Sequence, residues 1–400
     1  MLHSHSTASD DRSLIFILAT AGFASTFAGR IADPLVQVIA TDLSASVETI
    51  ALLASAFALP YALIQPVLGP IGDSLGKARV MRWCLALLTL ALVASAFATA
   101  TWALFSVRVL SGIAAGGVIP LALATIGDRV GFADRQVALS RFLVSVILGQ
   151  MAGSSLSGLL AEVAGWRGVF LIASLTAVAA FSAMLARASS MKDPPKPFSI
   201  DVALSRYASL LRDPRARALF SLVFVEALAI FGVFPFVAPL LAASGTGGPA
   251  EAGLALAGFA VGGLVYSALV GWMVRRLGLS RMLVGGGLVA GLALSAVGAA
   301  HQWWVFAAAF VVLGLGFYML HNSFQTQVTE LSAEARGSAV ALHAFSFFCG
   351  QALGPVLVQA GLNGAGQVIT FALCGALTVA LGIVSAWLMA RTARPDHLAR

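Results

Sequence analysis

Residues 139–162 read LSRFLVSVILGQMAGSSLSGLLAE, and residues 338–361 read SAVALHAFSFFCGQALGPVLVQAG. Each run is apolar over 24 residues, with charge confined to Arg141 and Glu162 at the ends of the first. At about 1.5 Å of rise per residue, such a helix is roughly 36 Å long and crosses a hydrocarbon core of about 30 Å. Apolar residues follow one another without alternation, which excludes the ~10-residue strands of a membrane barrel. The runs also repeat one another: at an offset of 201, Ser145, Gly149, Gln150, Gly153 and Leu156 fall on Ser346, Gly350, Gln351, Gly354 and Leu357. One membrane helix therefore occurs twice in the chain.

Working outward, similar windows bring the total to twelve, at about 13–38, 47–71, 80–100, 102–126, 139–162, 168–187, 217–241, 251–274, 282–300, 303–327, 338–361 and 366–390. Trp102 and Arg135 fall on Trp303 and Arg336 at the same offset, and Gly69, Gly76, Arg79 and Asp128 fall on Gly271, Gly278, Arg281 and Glu330 at 202. The predicted fold is all-α, with twelve transmembrane helices in two pseudo-symmetric six-helix bundles, residues 1–190 and 215–400. A cytoplasmic linker, 191–214, joins them and carries Pro194, Pro195 and Pro197. Six spans per half give both halves the same orientation, related by an axis along the membrane normal. Composition agrees, because 59% of residues are hydrophobic and only 10% charged, against about a quarter charged in soluble domains.

The net charge of +7 follows the same division. With the N-terminus inside, 21 of the 24 Lys and Arg fall in cytoplasmic segments, Arg167 alone lies outside, and Arg30 and Arg108 lie within spans. That bias predicts a multi-pass protein of a bacterial-type inner membrane with both termini in the cytoplasm. Its cations serve topology and anionic lipid rather than nucleic acid, which needs them clustered on one soluble face. The polar N-terminus leads into an apolar run too long for a signal-peptide core, so it is expected to stay uncleaved. Cys84, Cys349 and Cys374 lie inside apolar runs without paired spacing, which supports neither disulfides nor a metal site.

The loop after the second span reads Gly69, Pro70, Ile71, Gly72, Asp73, Ser74, Leu75, Gly76, Lys77, Ala78, Arg79. It resembles the hallmark of the major facilitator superfamily: a Gly, three residues, an acid, then Gly and basic residues between spans 2 and 3. Ser74 stands where a basic residue is usual. In span 4, Arg108 followed four residues later by Gly112 is similar to a second motif of that family. Span 5 has Ser154 where the family's proton antiporters place Pro, and the Gly-Pro pair appears instead as Gly354 and Pro355. The resemblance covers the whole chain in span count, halves and loop polarity. It implies a secondary transporter without cofactor, closest to the twelve-span antiporters that exchange drugs or metabolites for protons. Gly69, Asp73, Gly76, Lys77, Arg79 and Asp128 then read as a conformational latch, with Asp73 ending a helix and Lys77 and Arg79 facing acids such as Asp128. The plainer reading is a solvated, positive-inside turn.

Charges inside hydrocarbon are costly, so each is a functional candidate. Arg30, Asp33, Arg108 and Glu226 qualify. Asp33 and Arg108 sit at matching depth near the outer ends of spans 1 and 4, and Arg30 shares a helix face with Asp33. Asp33 is read as the proton acceptor and Arg108 as the cation that tunes it; the other reading is a permanent Arg30–Asp33 pair that orients span 1. Glu226 in span 7 lies at a depth similar to His321, Asn322 and Gln325 of span 10 and His343 of span 11, which gives a possible second polar site. Phe27, Phe231 and Phe234 are candidate aromatic walls for an apolar substrate.

These readings predict a small-molecule substrate, protons and lipids as partners and a monomer. The leading function is proton-coupled efflux of small, partly hydrophobic drugs or metabolites by alternating access. Proton-linked uptake or facilitated diffusion is the alternative within transport, and a non-transporting scaffold or sensor the alternative outside it. No nucleophile with a base, phosphate-binding glycine loop or metal constellation points to an enzyme.

Overall fold

A computed structural model describes the backbone over residues 4–130, 132–188, 200–332 and 336–392, and the side chains there except at 4–12, 69–70, 73, 132–137, 140, 200–203, 336 and 391–392. The described chain is helical and has no strand. Nine of its helical stretches are long and apolar enough to cross a membrane: Ser13–Asp42, Val47–Leu68, Lys77–Ala96, Thr101–Arg129, Arg141–Ala186, Pro214–Ala243, Pro249–Ala299, Trp303–Thr329 and Gly337–Ala390. Three of these run to 46, 51 and 54 residues, too long for one crossing. Each is broken by a glycine, at Gly165 (φ 65°), Gly278 (φ 71°) and Gly366 (φ 79°). The described spans therefore number twelve, and are numbered 1–12 below in chain order.

The turns repeat as the spans do. A positive φ costs residues with a Cβ about 1–2 kcal/mol, so the sequence marks its reversals chiefly with glycine. Gly76 (φ 93°) and Gly278 correspond at an offset of 202, Gly165 and Gly366 at 201, and Ser44 (φ 49°) and Gly245 (φ 67°) at 201. Those six are all the positive-φ residues among the described ones, so the second half follows the first turn for turn. Asp73 does not end a helix; Leu53–Leu75 runs past it, and Gly76 turns the chain into Lys77–Ala96. Glycine adopts the left-handed backbone that stops a helix, while an acid near a helix C-terminus opposes the dipole.

Two compact units form, Met1–Ala203 and Leu204–Arg400. Their boundary falls inside the segment read as linker, of which 191–199 lie outside the described residues and Ile200–Arg212 is helical. Within each unit, helices meet where glycine lets backbones approach, as expected when lipid offers no hydrophobic drive between spans. In unit 1, a Cβ added to Gly112 would strike the Phe57 carbonyl, and one on Gly149 or Gly153 would strike the Phe23 or Phe27 carbonyl. Span 4 thus lies on span 2, and span 5 on span 1. In unit 2 the equivalent Gly314, Gly350 and Gly354 press on the carbonyls of Phe259, Phe224 and Leu228, which sets span 10 on span 8 and span 11 on span 7.

Candidate functional site

A proline builds the first polar cluster. The helix Ser4–Arg30 stops, and Asp33–Leu35 makes one 3-10 turn before Val36–Asp42 resumes. Pro34 brings no N–H for the Arg30 carbonyl and its ring crowds it. The last carbonyls of an interrupted helix lack helical donors, and Arg108 of span 4 supplies them. Its Nη1 donates to the Ala28 carbonyl at 2.9 Å and its Nη2 to the Gly29 carbonyl at 3.4 Å. Arg108 is fully buried, with its guanidinium carbon 4.6 Å from the centre of the Phe57 ring of span 2. It caps the helix that Pro34 cuts.

Asp33 is 1% exposed. Its Oδ2 lies 3.4 Å from Arg30 Nη1, longer than the 2.7–2.9 Å usual for a charge-assisted hydrogen bond. Its Oδ1 has no donor among the described residues. Arg108 acts on this carboxylate by charge, while its hydrogen bonds go to backbone. The structure thus brings Arg30, Asp33 and Arg108 into one buried cluster around the break in span 1.

Unit 2 has the same break and fills it differently. Pro235 sits in a 3-10 turn, Phe234–Phe236, that follows Pro214–Phe231. At the offsets above, Arg30 and Asp33 become Phe231 and Phe234, and Phe57 and Arg108 become Phe259 and Phe310. The rings pack together: Phe234 lies 4.9 Å from Phe231, 5.3 Å from Phe259 and 5.3 Å from Phe310. One backbone device therefore holds charge in one half and aromatic rings in the other.

The acid of unit 2 lies elsewhere. Glu226 is fully buried, and its Oε2 is 2.8 Å from His321 Nδ1. The His321 ring is 5.2 Å from His343, and Phe317 stacks on it at 4.9 Å. Glu226, His321 and His343 are thereby brought together from spans 7, 10 and 11. Asn322, on the next residue, turns instead toward the Tyr266 hydroxyl. Gln325 is half-buried one turn further along span 10. Phe27 belongs to unit 1, stacked on Phe23 at 5.8 Å.

Of the latch residues, Lys77 Nζ meets Asp128 Oδ2 at 2.7 Å. Gly76 makes the turn before Lys77, and Arg79 is exposed. Gly69 lies in the helix, and the side chain of Asp73 is outside the described ones. The sequence reading did not find the capping role of Arg108, although Pro34 is its signal. It also missed a clasp at the far end of span 1, where Arg167 Nη1 meets Asp42 Oδ2 at 2.6 Å and Nη2 donates to the Ala98 carbonyl at 3.2 Å. Trp166 beside it is buried, with the Arg167 guanidinium 4.2 Å from its ring centre.

The family model described as Major Facilitator Superfamily matches residues 18–243 and 219–400. The uncharacterized MFS-type transporter YwfA of Bacillus subtilis (strain 168) is 26% identical over 93% of this chain and 90% of its own length. The multidrug export protein EmrB of Escherichia coli (strain K12) is 26% identical over 39% of this chain and 30% of its own. The multi-drug resistance efflux pump PmrA homolog of Lactococcus lactis subsp. lactis (strain IL1403) is 34% identical over 29% of each chain.

Proposed function

The chain belongs to the major facilitator superfamily and is a multi-pass membrane transporter, not an enzyme, and from that premise we propose that it exports small, partly hydrophobic molecules in exchange for protons. Its two halves, 1–190 and 215–400, work by alternating access, with both termini on the cytoplasmic side of a bacterial-type inner membrane and the monomer as the working unit. The topology rests on the positive-inside bias, with 21 of 24 Lys and Arg on one side. Export as the direction is supported by the multidrug export protein EmrB and the efflux pump PmrA homolog, each similar to part of this chain.

The observation that carries the proton role is the state of Asp33, buried, held by Arg30 at 3.4 Å, and with its second oxygen unpaired among the described residues. A carboxylate in a loose pair can be protonated without breaking a short ion pair. Moving a cation toward or away from a carboxylate changes how readily the acid holds its proton. Arg108 is tied to the span 1 backbone at Ala28 and Gly29, on the near side of the break, and Asp33 lies beyond it. Flexing at the break therefore changes the distance between carboxylate and cation, which couples proton affinity to the conformation of span 1.

Inverted membrane vesicles test this, with ethidium as probe. An imposed pH gradient is expected to drive uphill ethidium accumulation by the wild-type chain, and Asp33→Asn is expected to leave only downhill flux. Undiminished uphill transport by Asp33→Asn, with the same pH dependence, would remove the proton role from Asp33. Accumulation driven by the opposite gradient polarity would overturn export.

A further inference from the structure

Unit 2 holds a buried carboxylate that the proton route through Asp33 does not use. We propose that Glu226, His321 and His343, walled by Phe317 and Phe347, bind an organic ammonium with an apolar body. The proposal rests on the transporter reading above and names the chemical class of the cargo.

The acceptors come first. Glu226 Oε2 is occupied by His321, but Oε1 is buried and has no donor among the described residues. No Lys or Arg there pairs with Glu226. His343 Nε2 is likewise buried without a partner. In the tautomer protonated at Nδ1, that nitrogen accepts hydrogen bonds. Buried acceptors without donors are costly, and a ligand that brings donors and positive charge removes the cost. A primary ammonium has three donors and no acceptor, whereas a carboxylate or phosphate would set acceptor against acceptor.

The rings set the rest of the ligand. Phe317 is stacked on His321 with the planes 19° apart. Phe347 lies 4.9 Å from His321, 5.4 Å from Phe231 and 6.3 Å from Phe317. Such faces attract a cation and accept its apolar body. His321 keeps 16% of its side chain exposed, so the group opens to the surface of unit 2 at the imidazole.

The internal repeat separates a ligand role from a packing role. Glu226 corresponds to Ser25 at the offset of 201. Ser25 closes its site with a neutral hydroxyl donating to the Ala115 carbonyl at 3.0 Å. The equivalent place in the first bundle is thus closed without charge, so helix packing at this position does not require a carboxylate.

Binding to the purified full chain in detergent decides the matter, with dansylcadaverine as the ammonium probe and its N-acetyl derivative as the neutral one. The wild type is expected to prefer the ammonium by about 10-fold or more, and Glu226→Gln to weaken ammonium binding about 10- to 100-fold, as befits a charged hydrogen bond. The neutral probe should change by less than about 3-fold in that variant, within the reach of small packing shifts. His343→Phe keeps a ring, removes the acceptor, and should cost the ammonium about 3- to 10-fold, the scale of one neutral hydrogen bond. Should Glu226→Gln fail to fold, His343→Phe and the charge-retaining Glu226→Asp carry the test, the latter keeping the preference. Equal binding of both probes, or of neither, by the wild type overturns the proposal. So does a preference that survives Glu226→Gln, which leaves Glu226 as a site for a proton alone. Asp33→Asn should keep the ammonium preference, since no gradient is present. If it does so while its transport stays proton-driven, the route through Asp33 falls and the ammonium site stands.

Discussion

Replacing Arg108 by Leu tests whether a guanidinium takes over from a helix that a proline has cut. The substitution removes a hydrogen bond of 2.9 Å to the Ala28 carbonyl and one of 3.4 Å to the Gly29 carbonyl. The first, at ordinary charge-assisted length, is worth about 1.5–3 kcal/mol, and the second about 1 kcal/mol or less at its length. The Phe57 contact at 4.6 Å, in a dry setting, adds about 2 kcal/mol. Against these stands relief from burying a charge, which takes back part of the total. The net expectation is a loss of about 3–5 kcal/mol, the range for removing one partner from a buried charged group. Arg108→Lys keeps the charge but cannot fork to two carbonyls, so about half that loss is expected. Thermal unfolding in detergent micelles reads the series; at about 2–4 °C per kcal/mol for a unit of this size, Arg108→Leu should fall by roughly 6–20 °C. Pro34→Ala in the Arg108→Leu background should recover part of the loss, because an unbroken helix supplies its own donors. An Arg108→Leu protein that unfolds within about 3 °C of the wild type, a shift of about 0.75–1.5 kcal/mol, or a Pro34→Ala change that gives no rescue, would refute the capping role.

Three other expectations concern the packing and the turns. Gly112→Ala and Gly314→Ala should each destabilise by about 1–3 kcal/mol, because the new methyl meets the carbonyl of Phe57 or Phe259; unfolding in graded denaturing detergent measures it, and a neutral result would mean the spans are not in close contact. Gly366→Ala meets nothing within 4 Å, so its cost should be the backbone term alone, about 1–2 kcal/mol, with Gly366→Asn costing less in the same assay. A double-mutant cycle of Lys77→Gln and Asp128→Asn should give a coupling below about 1 kcal/mol, since the Asp128 side chain is 53% exposed; a coupling above about 2 kcal/mol would show the pair to be far less solvated.

The sequence alone was sufficient for the twelve apolar runs, the match between halves and the family resemblance, because each depends on composition or on spacing along the chain. Hydrocarbon leaves a polar backbone no partner but its own helix, so a long apolar run has one outcome, and Gly76, Gly165, Gly278 and Gly366 mark the reversals between runs. Intramembrane charge was equally plain to read, and Arg30, Asp33, Arg108 and Glu226 stood out by type. What they bond to was decided only by tertiary structure. Arg108 lies 80 residues from Ala28 and Glu226 lies 95 from His321, and no local pattern specifies a contact across such distances. The packing of span 4 on span 2 and of span 5 on span 1 brings a guanidinium to a broken helix end in unit 1. The repeated packing in unit 2 meets phenylalanines there and sets the carboxylate against an imidazole elsewhere. Backbone geometry is shared by the two halves, and the side chains it carries inward give each half its own chemistry.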